Sequence, residues 1–276
     1  MDDFERFSFL AALGGLGLSV ILSLVTLVRR IRKSGGKAVS YQASDYPGTI
    51  TAIAGLIFLT ISILSRWVIT GHGPFSNMYE FAVGFAWGAA FMGLFFQWRH
   101  RAAIIRAIGT LVASALLIFA SMLPSKPVPL VPALQQSFLL SVHVASAILA
   151  YGSFSIGFGV AVLFLIQRER KFHWLPDAAF LDNVSYRSVV IGFPLLTLTI
   201  VLGAIWANIA WGAYWSWDPK ETASLVTWLL YAGYLHARVL GGWREKRAAV
   251  LLIIGFVAVL FTFLGNYVFS GLHSYR

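Results

Sequence analysis

Long apolar runs alternate along the chain with short segments in which the charged residues cluster. Three runs, 7–28, 188–217 and 248–271, contain no charged residue, and each is long enough for a helix that crosses a hydrocarbon core, which needs about 20 apolar residues. With the less regular runs included, the pattern predicts eight spanning helices, over residues 7–28, 50–70, 77–98, 103–123, 136–167, 188–208, 219–240 and 248–270. The predicted fold is an all-α polytopic membrane protein, with one domain over residues 1–276.

Two runs need a closer interpretation. Run 7–28 could be a signal peptide, but acidic residues precede it and a basic cluster follows it, the reverse of the signal-peptide order. We therefore interpret it as a retained first helix. Run 136–167 is too long for one straight crossing, so its first turns are expected to project beyond the bilayer or to lie along its surface.

Composition excludes a soluble protein. Hydrophobic residues make up 58% of the chain and charged residues 12%, whereas soluble domains carry about 25% charged residues. The chain has no cysteine, so it offers no disulfide, thiolate metal site or thiol relay. Any thiol chemistry would use thiols of a partner or a substrate. Thiol-reducing proteins would act on those thiols and would therefore be only indirect partners of this chain.

The distribution of basic residues predicts the orientation. Lys and Arg near membrane helices stay on the cytoplasmic side, and one set of alternate loops holds 16 of the 21. These are Arg29, Arg30, Arg32, Lys33, Lys37, Arg99, Arg101, Arg106, Arg168, Arg170, Lys171, Arg187, Arg238, Arg244, Lys246 and Arg247. Both termini are therefore predicted on the non-cytoplasmic side. The bias also explains the net charge of +10 by contact with membrane lipid, without a nucleic-acid partner.

Residues 206–222, here the tryptophan segment, connect predicted spans six and seven on the non-cytoplasmic side and include the adjoining span ends. Four tryptophans and a tyrosine fall within its first twelve residues. Membrane proteins carry aromatic belts at their interfaces, and that is the plainer interpretation. A belt needs only one or two aromatics per helix end, so the density favours a surface for a large apolar ligand. The aromatics are Trp206, Trp211, Tyr214, Trp215 and Trp217.

The acidic residues of this segment have a structural interpretation. Asp218, Pro219 and Glu221 fit an N-cap, a proline at the first helical position and a carboxylate at the third, which together form a capping box. Asn77 and Glu80 repeat the pattern before span three. We therefore expect helix caps here, not general acids. The helix starts would also favour nearby anionic groups.

Three histidines are candidate ligands. His143 near the start of span five and His273 after span eight flank the tryptophan segment. His236 lies in span seven, roughly 22 Å deeper than Glu221 at 1.5 Å per residue. Plainer interpretations remain open, since His143 could be a hydrogen-bonded core residue, His273 a solvated tail residue and His236 a snorkelling one. Imidazole is a common axial ligand of haem iron. No role follows for His72.

Residues 211–221 resemble the WWD signature of the haem-handling protein superfamily. Within it, the whole set of motifs resembles the CcsA (ResC) family, the membrane subunits of two-component system II cytochrome c synthases. The matching stretches are 71–80, 140–144, 211–221, 234–238 and 271–275.

The resemblance implies that His143 and His273 ligate haem iron at the outer face and are the catalytic pair. It implies that His236 receives haem with a ligand from a CcsB (ResB)-like partner. The haem-binding surface would comprise Trp206, Trp211, Tyr214, Trp215, Trp217 and Asp218.

The implied activity is that of a holocytochrome c synthase, working with the CcsB-like partner. Haem b would be transported outward as the bound substrate, then attached to Cys-x-x-Cys-His motifs of apocytochrome c. The implied membrane is the bacterial cytoplasmic membrane or the thylakoid membrane. Two alternatives stay open: a haem exporter or carrier that forms no thioether, and a general transporter for another flat ligand.

Overall fold

A computed structural model describes residues 2–35, 45–73, 75–126 and 137–268, without the side chains of 137 and 266–268. These residues contain eight α-helices. They are α1 Asp3–Ser34, α2 Tyr46–Thr70, α3 Met78–His100, α4 Ala103–Ser121, α5 Ser137–Arg170, α6 Ala178–Trp211, α7 Pro219–Val239 and α8 Glu245–Val268. Each predicted span corresponds to one helix, so the predicted all-α membrane fold is confirmed.

Among the described residues, seven of the helices are long and apolar enough to cross a membrane, and α7 is the one that falls short. It carries Glu221 in its first turn and both His236 and Arg238 in its last turn. Its 21 residues still extend roughly 31 Å, about the thickness of a hydrocarbon core. The helix that lacks a long apolar stretch is thus the one that follows the tryptophan segment.

Helix α6 begins ten residues before the predicted span 188–208. Its first turns are polar and escape a hydropathy pattern, yet Leu181 and Val184 are fully buried. Asp177 caps this start by accepting a hydrogen bond from Phe180 N at 2.7 Å. The long fifth run forms a single helix, α5, of 34 residues. At 1.5 Å per residue this is roughly 51 Å, so α5 exceeds the hydrocarbon thickness as expected.

Successive helices run in opposite directions, so the bundle has two distinct ends. The end where α3, α5 and α7 begin is here the pocket end. There, Arg66 near the end of α2 donates to Glu5 of α1 at 3.3 Å, to Glu80 of α3 at 2.8 Å and to the carbonyl of Ser125 at 2.7 Å. Arg66 is 2% exposed. A buried charge of this kind is stable only when paired and hydrogen-bonded.

The opposite end has its own buried arginine. Arg106 of α4 is fully buried and donates to Gln97 of α3 at 2.6 Å, to the Gly48 carbonyl of α2 at 2.6 Å and to Asp45. Arg238 of α7 pairs with Asp182 of α6 at 2.7 Å. The helices are therefore tied by ion pairs at both ends, with aromatic and aliphatic packing between them.

Close backbone approach places α3 against α5. A Cβ added at Gly152 would lie 2.5 Å from the carbonyl oxygen of Gly88. Small residues at helix interfaces allow such packing in membranes. One residue before Gly152, Tyr151 stacks on Phe85 with ring centroids 5.2 Å apart. This contact forms the floor of the candidate site described next.

Candidate functional site

An apolar cavity lies at the pocket end, between the starts of α3, α5 and α7 and the ends of α6 and α8. Its wall includes Met78, Phe81 and Phe85 of α3, His143 and Tyr151 of α5, Thr199, Gly203 and Trp206 of α6, Tyr214 and Trp215 of the loop, Lys220, Glu221 and Ser224 of α7, and Thr262 and Phe263 of α8. The cavity volume is about 110 Å³. Hydrophobic walls with a few convergent polar groups are typical of ligand and cofactor sites.

His143 is held in a defined orientation within this wall. Its Nδ1 lies 2.8 Å from the carbonyl oxygen of Thr199, and since a carbonyl only accepts, Nδ1 carries the proton. In the neutral ring, Nε2 then bears the lone pair with which imidazole binds a metal. A hydrogen bond from the other ring nitrogen to a carbonyl is the usual way in which proteins orient a ligating histidine.

Glycine at position 203 makes room for this ring. A Cβ there would lie 2.8 Å from His143 Cε1 and 3.1 Å from Nδ1, closer than side chains approach. One turn along α5, the hydroxyls of Ser146 and Thr199 form a hydrogen bond of 2.9 Å. Neither Thr199 nor Gly203 was identified from the sequence, because both sit in an apolar run and gain their role only from α5–α6 packing.

The aromatics of the tryptophan segment divide into three groups. Trp206 is 2% exposed, lines the cavity and packs edge-on against Trp211 at 4.7 Å between centroids. Tyr214 and Trp215 form the mouth. Trp217 is 69% exposed, meets Trp215 edge-on and lies outside the cavity wall, as does Trp211. The structure thus brings three of the five aromatics to the cavity.

Asp218 and Glu221 form the capping box that the sequence predicts. Asp218 accepts from Lys220 N at 2.9 Å, and Glu221 Oε2 accepts from Asp218 N at 3.3 Å. Ser216 donates two further hydrogen bonds to the same Glu221 oxygen, from its backbone N–H at 2.7 Å and from its hydroxyl at 3.1 Å. Asp218 therefore caps a helix and stands outside the cavity wall, while Glu221 lies in it.

Lys220 is a site residue that the sequence interpretation missed. Its Nζ lies 5.0 Å from the centroid of the Phe81 ring, and its side chain lines the cavity. A cation over an aromatic face is stabilised by the ring quadrupole. Its position in the sequence could have identified it, since Lys220 is one of few basic residues on the predicted non-cytoplasmic side and follows four tryptophans.

The other histidines lie elsewhere. His236 is exposed on the surface of the last turn of α7, at the end of the bundle opposite the cavity. His72 hydrogen-bonds the neighbouring Gly73 carbonyl through Nδ1 at 2.9 Å and lies outside the cavity wall. His273 falls outside the described residues. The structure therefore brings together His143, Trp206, Tyr214 and Trp215 and separates them from His236.

Comparison with known proteins matches this arrangement to one family. The family described as Cytochrome C assembly protein matches residues 75–273, which include the cavity, the tryptophan segment and all three candidate histidines. A "Cytochrome c biogenesis protein CcsA" from Guillardia theta is 40% identical over 258 residues, 83% of this chain and 85% of that protein. One from Prochlorococcus marinus (strain NATL2A) is 38% identical over 264 residues, 82% of this chain and 83% of that protein.

A solved structure shares the fold. "Cytochrome c Heme Lyase CcmF" superposes with a TM-score of 0.65 at 20% identity, over 95% of this chain and 46% of that longer chain. The identities to the CcsA proteins extend over most of both sequences, and the family match covers the site. This chain is an integral membrane protein of cytochrome c biogenesis and belongs to the cytochrome c assembly protein family, with CcsA proteins among its relatives.

Proposed function

We propose that the chain transports haem b across the membrane and presents it at the pocket end for covalent attachment to apocytochrome c. One observation carries this proposal: His143, oriented by the Thr199 carbonyl, lies in an aromatic wall with Trp206 and Trp215. Haem binds well between aromatic faces with an imidazole on its iron. His273 is proposed as the second axial ligand.

The shape of the cavity indicates how haem would bind. The cavity is lined by Trp206 inside and by Tyr214 and Trp215 at its mouth, and Tyr214 is 61% exposed. We infer that one edge of the porphyrin enters the cavity while its face rests on Tyr214 and Trp215 at the mouth. Lys220 is suited to pair with a propionate there, as is the positive end of the α7 dipole.

Haem would reach this site from His236. That side chain is exposed on α7 and is therefore accessible to another subunit, and we propose a CcsB-like subunit as the source of the second ligand. In the attachment step, each substrate thiol adds across one haem vinyl group, forming one C–S and one C–H bond with nothing released. The chain contributes positioning, which is worth several kcal/mol in well-oriented reactions.

The alternative is a haem exporter that forms no thioether. The family's description as cytochrome c assembly favours attachment, and the fold neighbour is itself described as a cytochrome c haem lyase. Co-expression decides between them. Covalent haem on a Cys-x-x-Cys-His reporter, dependent on the CcsB-like partner, supports the synthase. Haem release to a soluble haem-binding chaperone without covalent product supports the exporter.

The test of the site is the absorption spectrum of the complex purified with its partner. We expect b-type haem with two histidine ligands. His143→Ala and His273→Ala should each weaken outer-site ligation and reporter maturation, and added imidazole should restore the spectrum. His72→Ala is the matched control, a histidine at the same end that should leave both readouts unchanged. Unaltered spectra and maturation in the His143 and His273 variants would refute the assignment.

A further inference from the structure

A second cavity lies at the end of the bundle opposite the tryptophan segment. It measures about 820 Å³ and is bounded by the end of α5, the loop 241–244 and the first turns of α8. Four basic side chains line it, together with an exposed tryptophan. They are Arg168, Arg244, Lys246, Arg247 and Trp243. Nothing in the proposed haem pathway uses this cavity.

The charge of the cavity is unbalanced. Its one lining carboxylate, Glu245, pairs with Arg168 at 3.3 Å. Within the described ranges, no carboxylate lies within 4 Å of Arg244, Lys246 or Arg247. All three are exposed, and the Arg247 guanidinium lies 6.0 Å from the centroid of Trp243. Three cations therefore converge on one cavity without an acidic partner, which favours an anionic ligand.

The cavity opens onto an apolar stripe of α8. Val250 and Ile254 line the cavity, and Val257, Phe261 and Leu264 continue the same helical face. These five side chains are 40–58% exposed. The stripe runs from Val250 to Leu264, roughly 21 Å, which exceeds the about 15 Å thickness of one leaflet of hydrocarbon. A ligand that satisfies both features has an anionic head and a long apolar tail.

We propose that this cavity binds the headgroup of an anionic glycerophospholipid, with its acyl chains along the α8 stripe. Basic pockets between membrane helices at the cytoplasmic side are suited to such headgroups. A soluble polyanion would leave the stripe unused, and a zwitterionic lipid would leave the three cations unbalanced. The bound lipid would hold the α7–α8 connection, in which Trp243 N donates to the Ala237 carbonyl at 2.9 Å.

The experiment is native mass spectrometry of the full-length, delipidated protein with equal amounts of phosphatidylglycerol and phosphatidylcholine. We expect at least about tenfold preference for phosphatidylglycerol, since each basic residue near an anionic surface contributes a several-fold effect. Arg244→Gln/Lys246→Gln/Arg247→Gln should remove the preference. Arg29→Gln/Arg32→Gln/Lys33→Gln, which deletes three exposed cations of α1, is the matched control and should retain it.

A second measurement needs no variant. A phosphatidylglycerol with a photoreactive acyl chain should crosslink to residues 243–264 of the wild-type protein. Equal binding of the two lipids, crosslinks spread over other helices, or loss of preference in the α1 control would overturn the proposal. So would displacement of the lipid by millimolar inorganic phosphate or by haem, because the occupant would then be a free anion or the macrocycle.

Discussion

Two helices begin at the pocket end with nearly the same polar signal. At α3, Asn77 accepts from Glu80 N at 3.0 Å, and Glu80 accepts from both the backbone and the hydroxyl of Ser76 at 2.7 Å. At α7, Asp218 is the cap, and Glu221 accepts from the backbone and hydroxyl of Ser216. Locally, each helix start has a carboxylate at the third helical position, and this carboxylate accepts hydrogen bonds from a serine that precedes the helix.

The surroundings of the two carboxylates differ. Glu80 is 1% exposed and paired with Arg66, which also pairs with Glu5. Glu221 is half-buried in the wall of an open aromatic cavity. The same helix-starting signal therefore closes the bundle at α3 and leaves a binding surface at α7. What decides between these outcomes is whether a distant helix supplies a buried cation.

The largest expected effect comes from removing that cation. Arg66→Met leaves Glu5 and Glu80 buried without their partner, and breaking a buried pair in this way costs about 3–5 kcal/mol. Thermal unfolding in detergent should show a strongly lowered midpoint. Arg6→Met is the matched control, because Arg6 lies at the same end of the bundle and is exposed. Equal midpoints for the two variants would mean that the ion pairs of Arg66 with Glu5 and Glu80 do not stabilise the packing of α1, α2 and α3 at this end.

The second prediction concerns the open side. Gly203→Ala places a methyl group 2.8 Å from His143 Cε1, so the ring must move or the helices must separate, at about 1–3 kcal/mol. We expect weaker haem ligation, measured by the spectrum of the partnered complex. Gly17→Ala is the control, since a Cβ there meets nothing within 4 Å. Native ligation in Gly203→Ala would contradict the proposed orientation of His143.

The sequence predicts features that depend on residues close together along the chain, and it misses features that depend on contacts between distant residues. Helix caps such as Asp218 depend on residues within one turn, and spanning runs depend on local hydropathy, so both were predictable. The contact of His143 with Thr199 joins residues 56 apart in sequence and depends on the rotation of α5 against α6. Arg66 is one of the five basic residues outside the predicted cytoplasmic set, and the charge count does not reveal that its side chain is buried.

The same difference between local and long-range interactions explains which tryptophans and which helix boundary the sequence predicted poorly. The density of tryptophans predicted a ligand surface, yet only packing shows that Trp206 and Trp215 line the cavity while Trp211 and Trp217 do not. The start of α6 was misplaced because its first turns bury Leu181 and Val184 among polar side chains. Amphipathic turns of this kind carry helical periodicity without high hydropathy.

The most discriminating comparison replaces each carboxylate with its amide. Glu80→Gln keeps the shape but removes the negative charge next to Arg66, and losing a hydrogen bond to a charged group costs about 1.5–3 kcal/mol. Glu221→Gln keeps one carbonyl oxygen that can still accept from Ser216 and Asp218, and it loses a half-exposed charge at a helix start, about 0.3–1 kcal/mol. Unfolding midpoints of the two variants, measured in the same detergent, should therefore fall in that order.

Their effects on haem should fall in the opposite order. Glu221 lies next to Lys220 in the cavity wall, so its neutralisation removes a negative charge from that wall and should tighten binding of an anionic haem edge. Glu80 stands outside the wall, so its amide should leave the haem spectrum unchanged wherever the protein is folded. If Glu80→Gln instead altered haem affinity in folded protein, the two helix starts would be coupled, and Glu80 would belong to the binding site.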